Sequence, residues 1–364
     1  MKIKAALSTG ASEPFAIEEV DLDDPRDDEV VVRVDASGVC HTDLTMKAAW
    51  PAAMSPIVLG HEGAGVVEAV GAGVSTVKAG DRVLMSYRSC GACPECSSGH
   101  PTYCHNFQAL NAIGSRPDGT TTMRRGDQPV YGSFFGQSSF ASHAIAYESN
   151  VVKVGDDTDL LVAAPLGCGI QTGAGAVLNV LQPGADDAIV VFGAGGVGLA
   201  AVMAAKAAGV KTIIAVDPVE SRRQAAADVG ATETIDPAAG DEPAAVIREI
   251  TGHGASHALD TTAIPAVING ALDALAARGT LALVGVGAPE VAINVQGVIG
   301  GGKTIRGVIE GDAKPQEFLP RLLDLHAKGE LPLERLIKTY AFDDIGTAVA
   351  DASSGSTIKP VLVL

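Results

Sequence analysis

Hydrophobic and polar positions change rhythm partway along the chain. From Ile3 to about Ala146, short apolar or alternating runs such as 30–34 and 65–70 are separated by clusters of Gly, Asp and Pro. That pattern predicts mostly β structure joined by turns. From about Asp187 the texture becomes strand then helix: an apolar run at 189–192, a helix over 197–208, a strand at 212–216, a helix over 220–229, and further strands at 256–260 and 280–284. Such alternation predicts βαβ units and a parallel sheet. Beyond about Glu310 a helix is expected over 315–327, then a breaker at 329–332 and a closing strand from Lys359 to Leu364. The pattern alone leaves open whether this last part returns to the first domain, making the parallel-sheet domain an insertion.

The 364 residues, 47% of them apolar, hold enough material for two cored domains. Lys and Arg number 26 against 43 Asp and Glu, a net charge of −17 with no basic run. This argues against nucleic acid or an anionic membrane as partner, both of which need a basic face. Small molecules and further copies of the chain fit better. Residues 188–205 carry no charge over a length at the lower limit for a membrane span, yet four glycines interrupt them. A buried strand and helix are expected there. The first seven residues offer too short an apolar core for a signal peptide, so a cytoplasmic location is expected.

Two sets of motifs carry chemistry. Gly193-Ala194-Gly195-Gly196-Val197-Gly198 matches G-x-G-x-x-G between an expected strand and an expected helix. In that setting the first glycine permits a tight turn, the second lets backbone approach a pyrophosphate, and the third allows close helix packing. The next expected strand ends in Asp217, a candidate acceptor for ribose hydroxyls that would repel a 2′-phosphate and so favours NAD over NADP. Arg222, one turn into the following helix, is placed to contact the ribose or, alternatively, to admit that phosphate.

The cysteines form the other set. Cys90, Cys93, Cys96 and Cys104 share one short stretch, a spacing that suits a closed four-thiolate structural zinc site. An iron–sulfur cluster is the nearest rival, but its run has three residues and a proline around the fourth cysteine, whereas here seven intervene and His105 follows. Free or disulfide-linked thiols are the remaining reading. Cys40, taken alone, and Cys168, taken alone, read as small buried hydrophobes. Their company raises them: Cys40-His41-Thr42-Asp43, Gly60-His61-Glu62-Gly63 and Gly167-Cys168-Gly169 together offer two thiolates and an imidazole, a catalytic zinc set with an open position.

On these residues, and on Gly167-Cys168-Gly169-Ile170-Gln171-Thr172-Gly173, the chain resembles the zinc-containing medium-chain alcohol dehydrogenases nearly end to end. The resemblance implies an α/β protein: a mostly-β GroES-like catalytic domain over 1–169 plus 311–364, with a structural zinc lobe at 90–104, interrupted by a doubly wound Rossmann NAD-binding domain over 170–310. It implies two zinc ions per chain and NAD. Cys40, His61 and Cys168 would hold the catalytic zinc, with Glu62 as a transient ligand and Asp43 holding the far nitrogen of His61. Thr42 would take the alcohol proton, Thr172 would contact the nicotinamide, and His41 and Lys359 would meet the pyrophosphate. A homodimer or homotetramer is implied as well. Residues 135–141 and 309–312 are most similar to the bacterial aryl-alcohol (benzyl alcohol) dehydrogenases and their geraniol-oxidising relatives, which implies primary aryl or allylic alcohols as substrates. A short aliphatic alcohol dehydrogenase, a glutathione-dependent formaldehyde dehydrogenase and a non-catalytic NAD-binding protein are the alternatives. Trp50, the single tryptophan, stands where the family has a substrate-pocket wall, and reads equally well as a packed anchor. One departure concerns proton transfer: the position of the family's relay histidine holds Thr45, which passes a hydrogen bond but holds no proton near neutral pH.

Overall fold

Strand register in the first part of the chain decides where its chemistry collects. A computed structural model describes residues 1–240 and 242–364. They divide into two compact units, Met1–Cys168 with Lys314–Leu323 and Leu333–Leu364, and Gly169–Ala313 with Asp324–Pro332.

In the first unit the long strand Glu29–Gly38 is the hub. It pairs antiparallel with Glu62–Val70, His143–Tyr147 and the closing strand Lys359–Val363. The register sets Gly38 opposite both Glu62 and Val361. One end of the sheet therefore gathers Cys40, His61, Glu62 and Lys359 from three distant stretches of sequence. Arg82–Met85 lies beyond Glu62–Val70 in the same sheet and brings its own end alongside the turn Ala164–Gly167. Glycine is required along this contact, since a Cβ on Gly167 would collide with the Met85 carbonyl and one on Gly38 with the Glu62 carboxylate. A five-stranded sheet, with Lys2–Ser8 between Ile57–Val58 and Ala16–Leu22, packs its apolar side into a core that includes Leu7, Ile57, Phe134 and Phe140.

The second unit is a six-stranded, wholly parallel sheet in the order Glu233–Ile235, Thr212–Val216, Ala188–Phe192, Ala255–Asp260, Leu275–Leu283, Thr304–Gly307. This is the doubly wound order, whose switch point falls between Ala188–Phe192 and Ala255–Asp260. The uncharged stretch at 188–205 resolves into the strand Ala188–Phe192 and the helix Gly196–Ala207, as its glycines required. The strand Thr212–Val216 and the helices Glu220–Val229 and Pro315–Ala327 lie where the periodicity put them. The strand Leu275–Leu283 begins five residues earlier than expected. Its first half includes Arg278 in a left-handed conformation, a local irregularity that hydrophobic patterning does not encode. No single helix among the described residues is long and apolar enough to cross a membrane.

The helix Gly169–Gly175 packs against Gly196–Ala207 through Gly173, where a Cβ would press on the Val197 carbonyl and on Ala200. Gly173→Ala is expected to cost about 1–3 kcal/mol through overpacking. A lowered urea midpoint on the intact holoprotein is the readout; an unchanged midpoint would show that the two helices give way freely.

Candidate active site and nucleotide site

Cys40 ends the run from the hub strand and stands immediately before the helix His41–Ala49. Asp43, on the first turn of that helix, turns its carboxylate back on the chain. Its Oδ2 accepts from the Cys40 backbone N–H at 3.0 Å, and its Oδ1 accepts from the Gly60 N–H at 3.0 Å and faces Nδ1 of His61 at 2.7 Å. The helix start is thus stabilised by an acidic group that closes on its N-cap. The same group fixes the His61 ring. Trp50 ends the helix in an extended conformation, as a residue before Pro51 must.

With Nδ1 occupied, Nε2 of His61 points the other way and is buried with no hydrogen-bond partner. It lies with the sulfurs of Cys40 and Cys168 in a group whose ligand atoms are all within 4.8 Å of one another. An orphaned imidazole nitrogen facing two thiols is what a buried divalent metal would satisfy. The Cys40 thiol is held well below its ordinary value, first by the hydrogen bond from Cys168 and then, against the cost of burial, by the Lys359 ammonium and His61. That favours the thiolate a metal needs.

Glu62 and Lys359 are found together. The buried Lys359 ammonium donates to both Glu62 oxygens at 2.9 Å and approaches the Val39 carbonyl at 3.4 Å. Burial opposes its charge, but Glu62 and Cys40 outweigh it and hold the ammonium above the ordinary lysine value. Lys359, expected at a cofactor pyrophosphate, is therefore engaged as the counter-charge of Glu62. His41 is exposed at the helix start, while Thr42 and Thr45 are half-buried along the same helix. Trp50 donates its indole N–H to the Met54 carbonyl at 2.8 Å and meets Tyr131 edge-on at 6.2 Å, so its tip is anchored.

Two aromatic residues pack on the His61 ring: Phe135, the first residue of the family-like segment 135–141, and Phe134, which sequence reasoning did not single out. Phe135 lies over the His61 ring at 4.6 Å and Phe134 meets it edge-on at 5.5 Å. In a chain with only 4% aromatic residues, an adjacent pair at the start of a family-like segment was the available signal for Phe134.

The sulfurs of Cys90, Cys93, Cys96 and Cys104 form the second group within 4.8 Å. Backbone N–H groups of Cys93, Cys90 and Asn106 donate to the sulfurs of Cys90 and Cys104 at 3.3–3.4 Å. Amides of Ala92 and Cys93 pull the Cys90 thiol down to about 6, whereas burial and then Cys93 push Cys96 up to about 12. Thiols crowded this closely resist ionising together unless a cation neutralises them. All six cysteines are free of disulfides.

In the parallel-sheet unit, Gly193 follows its strand at φ +91°, and its N–H donates to the Val216 carbonyl. A Cβ on Gly198 would strike the Gly193 carbonyl, but one on Gly195 would meet nothing within 4 Å. Gly195 therefore leaves an open cradle at the start of the helix Gly196–Ala207, which includes Val197. Asp217 accepts from the Ala194 and Val219 N–H groups at 2.8 Å each, which joins the glycine turn to the end of the second strand. Arg222 is 3.9 Å from that carboxylate. Thr172 is buried in the helix Gly169–Gly175.

Comparison with known proteins agrees with this geometry. The family models for the alcohol dehydrogenase GroES-like domain and the zinc-binding dehydrogenase match residues 26–156 and 196–328. A geraniol dehydrogenase from Castellaniella defragrans is 45% identical over 363 residues, 99% of this chain and 97% of that protein. An alcohol dehydrogenase zinc-binding domain protein from Burkholderia ambifaria is 48% identical with a TM-score of 0.97, and the benzyl alcohol dehydrogenase from Acinetobacter calcoaceticus is 40% identical with a TM-score of 0.96; each comparison covers 100% of this chain and 99% of the other. The GroES-like unit, the inserted parallel-sheet unit, the Cys-His-Cys pocket and this similarity lead to one conclusion: the chain belongs to the zinc-binding medium-chain alcohol dehydrogenases, oxidoreductases that act on alcohols.

Proposed function

We propose that this enzyme oxidises primary aryl or allylic alcohols to aldehydes, with NAD as acceptor, at a zinc ion held by Cys40, His61 and Cys168. The observation that carries the reading is the buried, unpartnered Nε2 of His61 beside two thiols. When bound, zinc supplies the Lewis acidity that makes an alcohol proton acidic near neutral pH, and NAD supplies the hydride acceptor. With both bound, the alcohol would give up a proton and a hydride and leave as the aldehyde. Asp43 keeps the Nδ1 proton of His61 in place, so Nε2 remains the ligating atom. Thr42 accepts the alcohol proton's hydrogen bond and passes it outward, with Thr45 able to extend that path by a hydroxyl but not to store the proton. Glu62 is held beside the metal set by its paired contact with Lys359, ready to act as a transient ligand. Cys90, Cys93, Cys96 and Cys104 hold a structural zinc.

For the cofactor, the Gly193–Gly198 turn receives the pyrophosphate, Asp217 accepts from the ribose, Arg222 flanks it, and Thr172 meets the nicotinamide; by family resemblance His41 and Lys359 are further candidates for the pyrophosphate. The catalytic domain is read as 1–169 plus 311–364 and the NAD-binding domain as 170–310, bounds that differ from the two compact units by a few residues at each junction and by Asp324–Pro332, which clusters with the parallel-sheet unit. Its surroundings are cytoplasmic, in keeping with six unbridged cysteines. A homodimer or homotetramer is supported by the exposed Val286, Val295 and Ile299, which lie in the connection that leads into the edge strand Thr304–Gly307.

The aryl or allylic preference draws on the named activities of the relatives. Steady-state kcat/KM for benzyl alcohol or geraniol should exceed that for ethanol by at least about tenfold, the discrimination of one or two methylene-sized contacts. Ethanol as the better substrate would overturn it. Asp43→Ala should weaken the catalytic zinc by about 10–100-fold, so that mild chelation leaves one zinc per chain where the wild type keeps two; retention of both would refute the role of Asp43. Asp217→Ala should weaken NADH binding by about 10–100-fold in a fluorescence titration and narrow the gap to NADPH. Tighter binding of NADPH by the wild type would contradict NAD preference.

A further inference from the structure

The segment 134–140 shadows the segment that carries His61. Ser138 Oγ donates to the Val58 carbonyl at 2.6 Å, Phe140 N–H to Leu59 at 3.0 Å and Ser139 N–H to Gly60 at 2.9 Å, so three successive carbonyls are taken. Beyond Gly60 a side chain continues the pattern. Gln137, wholly buried, accepts from the Gly63 N–H through Oε1 at 3.0 Å and donates through Nε2 to the carbonyls of His61 at 3.0 Å and Ser86 at 3.2 Å. Turning the carboxamide over would set N–H against N–H and oxygen against two carbonyls, so its orientation is fixed. No other side chain of this length offers an acceptor and a double donor on one planar group.

Ser86 carries the connection onward. Its Oγ donates to the Gly167 carbonyl at 2.7 Å, and Gly167 immediately precedes Cys168. A single run of hydrogen bonds therefore joins the backbone of His61 to that of Cys168. The strap reaches this position through left-handed backbone at Phe135 (φ 50°), Gly136 (φ 63°) and Ser138 (φ 52°). Such conformations are costly for residues other than glycine and persist only where the surroundings enforce them. The same turn lays Phe135 on the His61 ring.

We propose that Gln137, acting through Ser86, is a positioning residue that holds His61 and Cys168 at the separation a shared metal needs. Asp43 orients the imidazole through its far nitrogen; Gln137 fixes the His61 backbone through its carbonyl. The inference rests on the reading of Cys40, His61 and Cys168 as a zinc site.

The test uses the intact two-zinc enzyme. Zinc release into a chelator with a metal-sensitive dye separates the catalytic from the four-thiolate site by rate, and the visible absorption of cobalt exchanged into the catalytic site reports its geometry. In Gln137→Met, catalytic-site release should quicken by about 10–100-fold with a shifted cobalt band, while the four-thiolate phase keeps its wild-type rate. Ser86→Ala should change the same phase in the same direction, by less. A folded Gln137→Met with wild-type release and cobalt spectrum would overturn the proposal. If Gln137→Met does not fold, Ser86→Ala decides, and a wild-type catalytic phase there overturns it. Wild-type enzyme with a single zinc would instead overturn the reading of the metal site.

Discussion

A buried carboxylate, that of Asp43, is the constraint on which the catalytic pocket depends. Two backbone N–H groups and one imidazole nitrogen converge on it, from the Cys40 turn and from the Gly60-His61 turn. A carboxylate removed from water is tolerated when hydrogen bonds replace its hydration, and each of those bonds gains strength in a low-dielectric setting. Here the replacement bonds are also the geometry of the site. They tie the first expected ligand to the second and leave the second with one nitrogen to offer.

The surrounding fold makes that convergence inexpensive. Antiparallel register along Glu29–Gly38 already brings Gly38, Glu62 and Val361 side by side. Asp43 then has only to lock turns that the sheet has delivered. Lys359, brought in by the closing strand, offsets Glu62 at 2.9 Å, which keeps two buried charges paired next to the thiols. The four-cysteine lobe is built differently. It takes all its sulfurs from one short stretch and stabilises them with nearby amides, as a local, closed site does.

Much of this was legible in the sequence because the signals are local. Strand and helix alternation after Asp187, the glycine turn ending at Gly198, and the spacing of Cys90 to Cys104 each depend on neighbours within a few residues. Family resemblance supplied what periodicity does not, the union of Cys40, His61 and Cys168. What remained hidden is non-local polar pairing. Glu62 and Lys359 are 297 residues apart, and Gln137 reaches His61 across 76, so nothing in either neighbourhood announces the partner. Phe135 and Ser138 adopt left-handed backbone because the packed strap demands it, against the preference of their residue types. Trp50 had two equal readings, and its hydrogen bond to Met54 shows that its tip is anchored.

The central claim is that the six cysteines serve two zinc ions of different kinds. Anomalous diffraction from crystals, collected on both sides of the zinc absorption edge, tests it most directly. The account predicts two zinc peaks per chain, one about 2.0–2.1 Å from Nε2 of His61 and about 2.3 Å from the sulfurs of Cys40 and Cys168, the other about 2.3 Å from all four sulfurs of Cys90, Cys93, Cys96 and Cys104. A single peak, a signal that appears at the iron edge instead, or a peak that leaves Nε2 of His61 uncoordinated would contradict it.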